Sequence, residues 1–297
     1  MRPVPNHPLH LTNAHAMDSQ LSPIGRFERI LLASDTTACS LDAQRIAMTM
    51  AKEWGATLTL ASVILTNPIA EELAYIQVES AGSAVRDLLE RLQAQAHDLG
   101  IRAEKVLLLG RDPLEMIVEA AEKHRADLIV MGRREKPGLL RRIVGTTTTK
   151  SIGSACCSVL VVPEGAAMWH KRILLATDGS RFSDAAAVAA ARLAERGRLP
   201  VSVISTIRAS FSPERAAQAM EAATRVHDFL AAKRIEVDKA VLNGEPNQLI
   251  LSTAAAFGAD LIVIGTHGRS GWERLVVGSV TESIVKASTL PVLVVKL

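Results

Sequence analysis

Short runs of β-branched and other apolar residues alternate along the chain with longer segments that place alanine and other apolar residues on one helical face, as in residues 184–195. The runs have the length of buried strands. They predict strands near residues 29–34, 57–63, 103–109, 127–131 and 158–162, and again near residues 172–177, 201–206, 236–242, 260–264 and 291–295. Strands that alternate with helices predict the α/β class, in which crossover helices cover both faces of a parallel sheet.

An internal repeat indicates that the chain contains two copies of one domain, here called copy one and copy two. Arg29-Ile-Leu-Leu-Ala-Ser-Asp35 returns as Arg172-Ile-Leu-Leu-Ala-Thr-Asp178, and Ala126-Asp-Leu-Ile-Val-Met-Gly132 returns as Ala259-Asp-Leu-Ile-Val-Ile-Gly265. Matching segments in the same order predict a duplication. The expected fold is therefore two tandem doubly wound domains, each with five parallel strands.

The repeat also predicts the domain bounds. We expect the first domain over residues 26–165 and the second over residues 166–297, with a short linker at residues 164–170. Residues 1–25 carry four prolines and three histidines, show little periodicity and lack the apolar stretch of a secretory signal. We expect them to form a mobile tail without a metal site.

The closing runs of the two copies, residues 158–162 and 290–295, are apolar and of high β-propensity. As edge strands of two separate sheets they would invite aggregation. We therefore expect them to pack against each other, so that the two domains form a pseudo-dimer within the chain. A homodimer and an unidentified protein partner are further expectations.

Composition and charge narrow the function. The net charge of +3 is small and the basic residues are interspersed with acidic ones, which argues against a nucleic-acid partner. No apolar run approaches the roughly 20 residues of a membrane helix. Three cysteines without a disulfide or metal spacing are typical of the cytoplasm. Cys156 and Cys157 are expected to be core thiols, with a redox pair as the alternative.

A glycine motif follows the fourth strand of copy two and predicts an anion pocket. Two residues separate Gly265 from Gly268, and nine more precede Gly278-Ser279. Glycines let the backbone approach a ligand and adopt positive φ, so that N–H groups can point at phosphate oxygens. Gly278-Ser279 opens a helix whose unpaired N–H groups favour negative charge, and Ser279 and Thr281 add hydroxyl donors. The alternative is a glycine turn before an N-capped helix without a ligand.

Asp178 ends the first strand of copy two, where open α/β sheets bind ligands. Its carboxylate can accept a hydrogen bond from an adenine amine or a ribose hydroxyl, or it can cap the next helix through Gly179-Ser180.

These segments, together with the closing Pro291-Val-Leu-Val-Val295, resemble the universal stress protein family in its ATP-binding branch. The resemblance covers both copies from Phe27 onward. It implies a sheet of strand order 3-2-1-4-5 in each copy, as in adenine nucleotide alpha hydrolase-like folds, with ATP, and Mg2+ as its companion ion, across the strand ends of copy two. The nucleotide-binding residues that it implies are Thr177, Asp178, Thr206, Gly265, His267, Gly268, Gly278, Ser279, Val280 and Thr281.

Copy one departs from this motif, because Glu135 takes the second glycine position at unchanged spacing. A Cβ hinders positive φ and a carboxylate repels phosphate, although Arg133, Arg134 and Lys136 offset the charge. We expect copy one to be a structural partner, with a modified site for another anion as the alternative. Its degenerate site would consist of Asp35, Val63, Gly132, Arg134, Gly145 and Thr146.

The sequence favours binding over catalysis, and we assign no catalytic residue. It contains no Walker loop or nucleophile elbow, and no general base is identifiable near the phosphate tail. We expect a stress-response or signalling module that binds ATP, with ADP, AMP and cyclic nucleotides left open. The rival is a slow ATPase or another nucleotide-dependent enzyme, with Glu273 and Glu282 as its candidate carboxylates. A scaffold without a ligand is the third hypothesis.

Overall fold

The structure is a computed structural model of the 297-residue chain and describes residues 24–65, 71–133, 152–268 and 277–297, with only the backbone over 71–81. Copy one contains β1 (Arg29–Ala33), α1 (Leu41–Trp54), β2 (Thr57–Leu65), α2 (Glu71–Asp98), β3 (Ala103–Gly110), α3 (Pro113–Lys123), β4 (Leu128–Gly132) and β5 (Ser158–Val162). Copy two contains β6 (Ile173–Ala176), α4 (Arg181–Gly197), β7 (Val201–Ile207), α5 (Pro213–Ala232), β8 (Val237–Asn243), α6 (Pro246–Ala256), β9 (Leu261–Gly265), α7 (Ser279–Ala287) and β10 (Val292–Val295). Every predicted strand is present within two residues of its expected bounds.

The strands of the described residues form one sheet of order β3-β2-β1-β4-β5-β10-β9-β6-β7-β8. Within each copy the order is 3-2-1-4-5 and all pairs are parallel, which confirms the predicted fold class. The copies join where β5 pairs antiparallel with β10, with Leu160 opposite Leu293. The predicted pairing of the closing strands is therefore confirmed.

Two apolar layers, one on each face of the sheet, hold the copies together. Leu160 and Val162 of β5 belong to the same buried layer as Leu293 and Val295 of β10. The alternate residues of both strands, such as Val161, belong to the layer on the opposite face. This alternation follows from the two-residue period of a strand, and it makes each core continuous across the junction between the copies.

A repeated aspartate aligns the strands of each copy. The Asp260 carboxylate accepts the backbone N–H groups of Lys171 (2.9 Å) and Arg172 (3.0 Å), just before β6. Asp127 does the same for Glu28 (2.8 Å) before β1, and burial raises the pKa of Asp127 above its ordinary value. The repeated Ala-Asp dipeptide therefore ties the start of the fourth strand to the start of the first.

The predicted linker packs against copy one. Gly165 donates its N–H to Asp42 (2.6 Å), and Arg45 donates to the carbonyl of Ala166 (2.7 Å). Trp169 is buried in the core. The linker thus contributes to the packing between the copies.

Most of the predicted tail lies outside the described residues, which begin at Ile24. Ile24 and Gly25 contact α4: Arg192 donates to the carbonyl of Ile24, and a Cβ on Gly25 would lie 2.7 Å from the Cα of Ala189. These two residues of the predicted tail are therefore packed against copy two.

Candidate functional site

A cavity of about 220 Å³ lies at the carboxyl ends of β6, β7 and β9. The parallel strand β6 lies between β7 and β9, so the segments that follow the three strands meet at one edge of the sheet. All ten residues that the sequence predicted for copy two line the cavity: Thr177, Asp178, Thr206, Gly265, His267, Gly268, Gly278, Ser279, Val280 and Thr281.

The turn after β6 positions Asp178 at this edge. Gly179 adopts a φ of +77°, a conformation that costs glycine little, and Ser180 then caps α4 by accepting the N–H of Ser183 (3.2 Å). One carboxylate oxygen of Asp178, Oδ1, accepts the N–H of Ser180 (3.0 Å). Asp178 therefore shapes the turn through Oδ1, while its other oxygen, Oδ2, faces Gly268.

Copy one builds the same turn differently because Thr36 replaces that glycine. Thr36 does not adopt a positive φ, and a 3-10 turn over Ala38–Ser40 precedes α1. The carboxylate of Asp35 accepts both the N–H (3.0 Å) and the hydroxyl (2.5 Å) of Thr37. The first α-helix of copy one thus begins one turn later than its counterpart in copy two.

Two of the three motif glycines, Gly265 and Gly268, are required for close packing. A Cβ on Gly265 would lie 2.7 Å from the backbone carbon of Phe182, and one on Gly268 would lie 2.7 Å from Asp178 Oδ2. Gly278 has more room, since its Cβ would lie 3.3 Å from the carbonyl of Thr266. None of these three glycines has a positive φ, so that part of the prediction is wrong: the physical constraint is the short distance between neighbouring segments.

The start of α7 forms one wall of the cavity. Ser279 is its exposed first residue, and Gly278 donates its own N–H to the carbonyl of Thr266 (2.9 Å). The buried hydroxyl of Thr281 donates to the carbonyl of Gly265 (2.8 Å). The expectation that Thr281 offers a hydroxyl hydrogen to a ligand is therefore wrong, because that hydrogen already ties α7 to β9.

His267 lies at the base of the same wall. Its ring is 5.1 Å from the ring of Phe182, centroid to centroid. Both ring nitrogens are buried, and neither has a hydrogen-bond partner among the residues that the structure describes. The imidazole is thus a polar group of the cavity that a ligand can engage.

The opposite wall contains residues that the sequence analysis missed. Arg215 of α5 places its guanidinium 4.0 Å above the ring of Phe211, and Arg208 lies 3.6 Å from a carboxylate oxygen of Glu245. Ser205 is 1% exposed, and its hydroxyl has no partner in the described part of the chain. Arg208 follows a strand end, a position the sheet rule favours, whereas no sequence signal shows that α5 returns over the cavity.

The degenerate site of copy one is described only in part. Asp35, Val63 and Gly132 lie at the carboxyl ends of the adjacent strands β1, β2 and β4. The other residues predicted for this site lie outside the described residues: Arg134, Gly145 and Thr146, together with Glu135. Arg133 is buried and donates to backbone carbonyls of copy two, so the expectation that it offsets charge at this site is wrong.

The adjacent cysteines form a separate polar cluster. Cys156 is exposed and Cys157 is half-buried, so the prediction of core thiols is wrong for Cys156, which precedes β5 at a bend. A hydrogen bond from Cys157 lowers the pKa of the Cys156 thiol to about 7. The same hydrogen bond, together with burial, raises the pKa of Cys157.

The rate at which Cys156 reacts with iodoacetamide is therefore expected to depend on pH with a midpoint near pH 7. An ordinary thiol has its midpoint at about 8.5, because only the thiolate is nucleophilic. The rate should rise with pH through the midpoint and level off above it. Mass spectrometry of the Cys156 peptide measures this rate. Cys157→Ala should move the midpoint to higher pH, and an unchanged midpoint would contradict the assigned hydrogen bond.

Within the described ranges, no helix combines the length and apolarity of a membrane span. The same residues contain no group of three or more His, Cys, Asp or Glu side chains arranged to hold a metal ion.

The fold and the cavity define a class: tandem doubly wound α/β proteins with a cavity at the carboxyl ends of the strands in one half of the sheet. Residues 26–163 and 170–296 each match the model of the universal stress protein family. These matches cover most of the chain, so the chain belongs to the universal stress protein family.

Three proteins illustrate the relationship. A universal stress protein of Mycolicibacterium smegmatis is 26% identical over 294 residues, which are 90% of this chain and 96% of that protein. The crystal structure of a universal stress protein from Archaeoglobus fulgidus has the same fold, with a TM-score of 0.72 and 22% identity over 91% of this chain and 98% of that one. Another from A. fulgidus, solved in complex with dAMP, is 24% identical, with a TM-score of 0.37 and coverage of 43% of this chain and 100% of that one.

Proposed function

We propose that copy two binds ATP or a related adenine nucleotide, and that the protein acts as a nucleotide-dependent binding module in a stress or signalling response. The observation that carries the proposal is the convergence of ten motif residues, drawn from three strand ends and one helix start, on a single cavity. Apolar side chains form one wall of the cavity and the start of α7 forms another, an arrangement that suits a ligand with an aromatic base and an anionic tail.

The apolar wall is the proposed base site. Ile204, Phe211, Ala219 and Ile250 line it. The half-buried Asp178 carboxylate at the end of β6 is the proposed acceptor for the adenine amine or a ribose hydroxyl. The hydroxyl of Ser205, which has no partner among the described residues, is the proposed further polar contact for the nucleoside.

The start of α7 is the proposed phosphate site. The first N–H groups of an α-helix have no partner within the helix, and the helix dipole favours an anion there. The exposed Ser279 adds its hydroxyl. At about 220 Å³ the cavity is smaller than the range of about 300–1,000 Å³ typical of whole-ligand pockets. We therefore propose that the nucleoside fills the cavity and that the phosphates extend along the helix start.

Copy one is the proposed structural partner. Thr36 and Glu135 replace the glycines that copy two uses after its first and fourth strands. The first α-helix of copy one also begins later than its counterpart in copy two, after a 3-10 turn. We infer that one nucleotide binds per chain.

The rival enzymatic function has weaker support. Glu282, one of its two candidate carboxylates, pairs with Lys286 one helical turn away (2.5 Å), and Glu273 lies outside the described residues. Binding therefore remains the proposal. The free cysteines support a reducing, cytoplasmic location.

Calorimetric titration of the full chain with ATP, ADP, AMP, dAMP, adenosine and GTP, with and without Mg2+, tests the proposal. We expect adenine nucleotides to bind with a stoichiometry near one per chain, because only copy two keeps the three motif glycines. Absence of binding at millimolar nucleotide would refute the function. Two equivalent sites would refute the assignment to copy two, and steady phosphate release at saturating ATP would favour the enzyme.

A further inference from the structure

A buried arginine of copy one reaches into copy two. Arg133, the first residue after β4, is 5% exposed, and its guanidinium donates to the carbonyls of Val285 (3.2 Å) and Ser288. These carbonyls lie at the carboxyl end of α7. The backbone of Arg133 is itself held in place, because its N–H donates to the carbonyl of Val162 on β5 (2.7 Å).

The two ends of α7 therefore have different partners. Its first residue, Ser279, lines the cavity, and its last turn accepts hydrogen bonds from Arg133. The helix has nine residues and is roughly 13 Å long. A cation at the carboxyl end and an anion at the amino end both interact favourably with the helix dipole. A residue that fixes one end of so short a helix also fixes the position of the other.

The contact is asymmetric between the copies. The repeat aligns Arg133 with Thr266, whose N–H makes the equivalent backbone bond to Val295 (3.2 Å). The short side chain of Thr266 is buried beside Gly265 and cannot extend as far as an arginine. The side-chain bond at this position thus runs from the copy with the degenerate motif to the copy with the intact one.

We propose that Arg133 is a positioning residue for the nucleotide site of copy two: it holds α7 so that Ser279 and the first N–H groups stay aligned with the phosphates. This inference rests on the proposed function. It also gives copy one a specific role in the site of copy two, because the bond crosses between the copies, which join where β5 pairs with β10.

The test compares Arg133→Met, Arg133→Lys and wild type as full chains, with ATP and adenosine as ligands. Arg133→Met should lower the affinity for ATP about tenfold and the affinity for adenosine less than about threefold. The reason is that the change acts on α7 and leaves the apolar wall that is the proposed base site intact. Arg133→Lys keeps the charge and should restore much of the ATP affinity. Arg45→Met is the matched control. It removes another hydrogen bond from an arginine to a backbone carbonyl, that of Ala166, and should change the affinity for neither ATP nor adenosine.

Hydrogen exchange of the ligand-free protein provides a readout that does not depend on nucleotide. The amides of residues 279–287 should exchange faster in Arg133→Met than in wild type or Arg45→Met. Equal losses of ATP and adenosine affinity, or unchanged exchange in α7, would overturn the inference. If wild-type protein binds ATP no better than adenosine, the proposed phosphate site fails instead, and the exchange data alone decide whether Arg133 holds the helix.

Discussion

Gly268→Glu is expected to lower the affinity of copy two for ATP by about a hundredfold or more. A Cβ at this position would lie 2.7 Å from Asp178 Oδ2, so any side chain must displace the carboxylate that we assign to the nucleoside. The new carboxylate would also lie beside that of Asp178 and close to the phosphates. At about 4 Å and an effective dielectric constant near 20, repulsion between this carboxylate and a phosphate costs about 4 kcal/mol of binding free energy. Calorimetry of the purified variant measures the loss.

Two matched glycine variants separate the causes. Gly268→Ala introduces the steric conflict without the charge and should reduce affinity less than Gly268→Glu. Gly278→Ala meets its nearest atom, the carbonyl of Thr266, at 3.3 Å and should have the smallest effect of the three. The melting temperature should fall most in Gly268→Glu, where two carboxylates lie side by side, and least in Gly278→Ala. Wild-type affinity in Gly268→Glu would show that position 268 does not border the bound nucleotide.

Asp178→Ala is expected to lower the affinities for ATP and for adenosine to the same extent, by about tenfold to a hundredfold. A hydrogen bond to a charged group contributes about 1.5–3 kcal/mol, and the Asp178 carboxylate is assigned to the nucleoside, which both ligands share. Asp178→Asn retains an acceptor for the N–H of Ser180 and should lose less affinity for both ligands than Asp178→Ala does. Parallel titrations with ATP and adenosine give the loss of affinity for each ligand, and the prediction requires the two losses to be equal.

Ser279→Ala provides the contrast. Its hydroxyl lies at the start of α7, so its loss should reduce ATP affinity about tenfold and leave adenosine unchanged. Thr281→Ala should instead lower the melting temperature, because its hydroxyl bonds to the carbonyl of Gly265. If Ser279→Ala weakens both ligands equally, the nucleotide lies in the opposite orientation or α7 does not bind phosphate.

The sequence supplied most of the fold because its two periodicities are strong and occur twice. The strand runs and the alternating helical segments were sufficient to predict five parallel strands per copy, and the apolar closing strands predicted the β5–β10 pairing. The glycine motif located one side of the cavity, because residues after parallel strands meet at one edge of the sheet. Such inferences depend only on local pattern and on general rules of chain topology.

Side-chain direction was not accessible in this way. Arg133 reads in the sequence as one of several basic residues near a loop, yet its guanidinium is buried against α7 of the other copy. Cys156 opens an apolar run and is nevertheless exposed, since β5 begins only at Ser158. Neither outcome can be obtained from composition or spacing, because each depends on segments distant in the chain.

The sequence by itself therefore determined the class of fold, the duplication and the junction of the copies. It also identified the residues that lie at the carboxyl ends of the strands in copy two. Only the tertiary structure decided that Gly268 must be small because Asp178 lies against it, that Thr281 bonds to the backbone, and that α5 closes the cavity with Arg215. The physical reason is that periodicity reports which face of an element is buried. Contacts between elements depend instead on how they pack together in space.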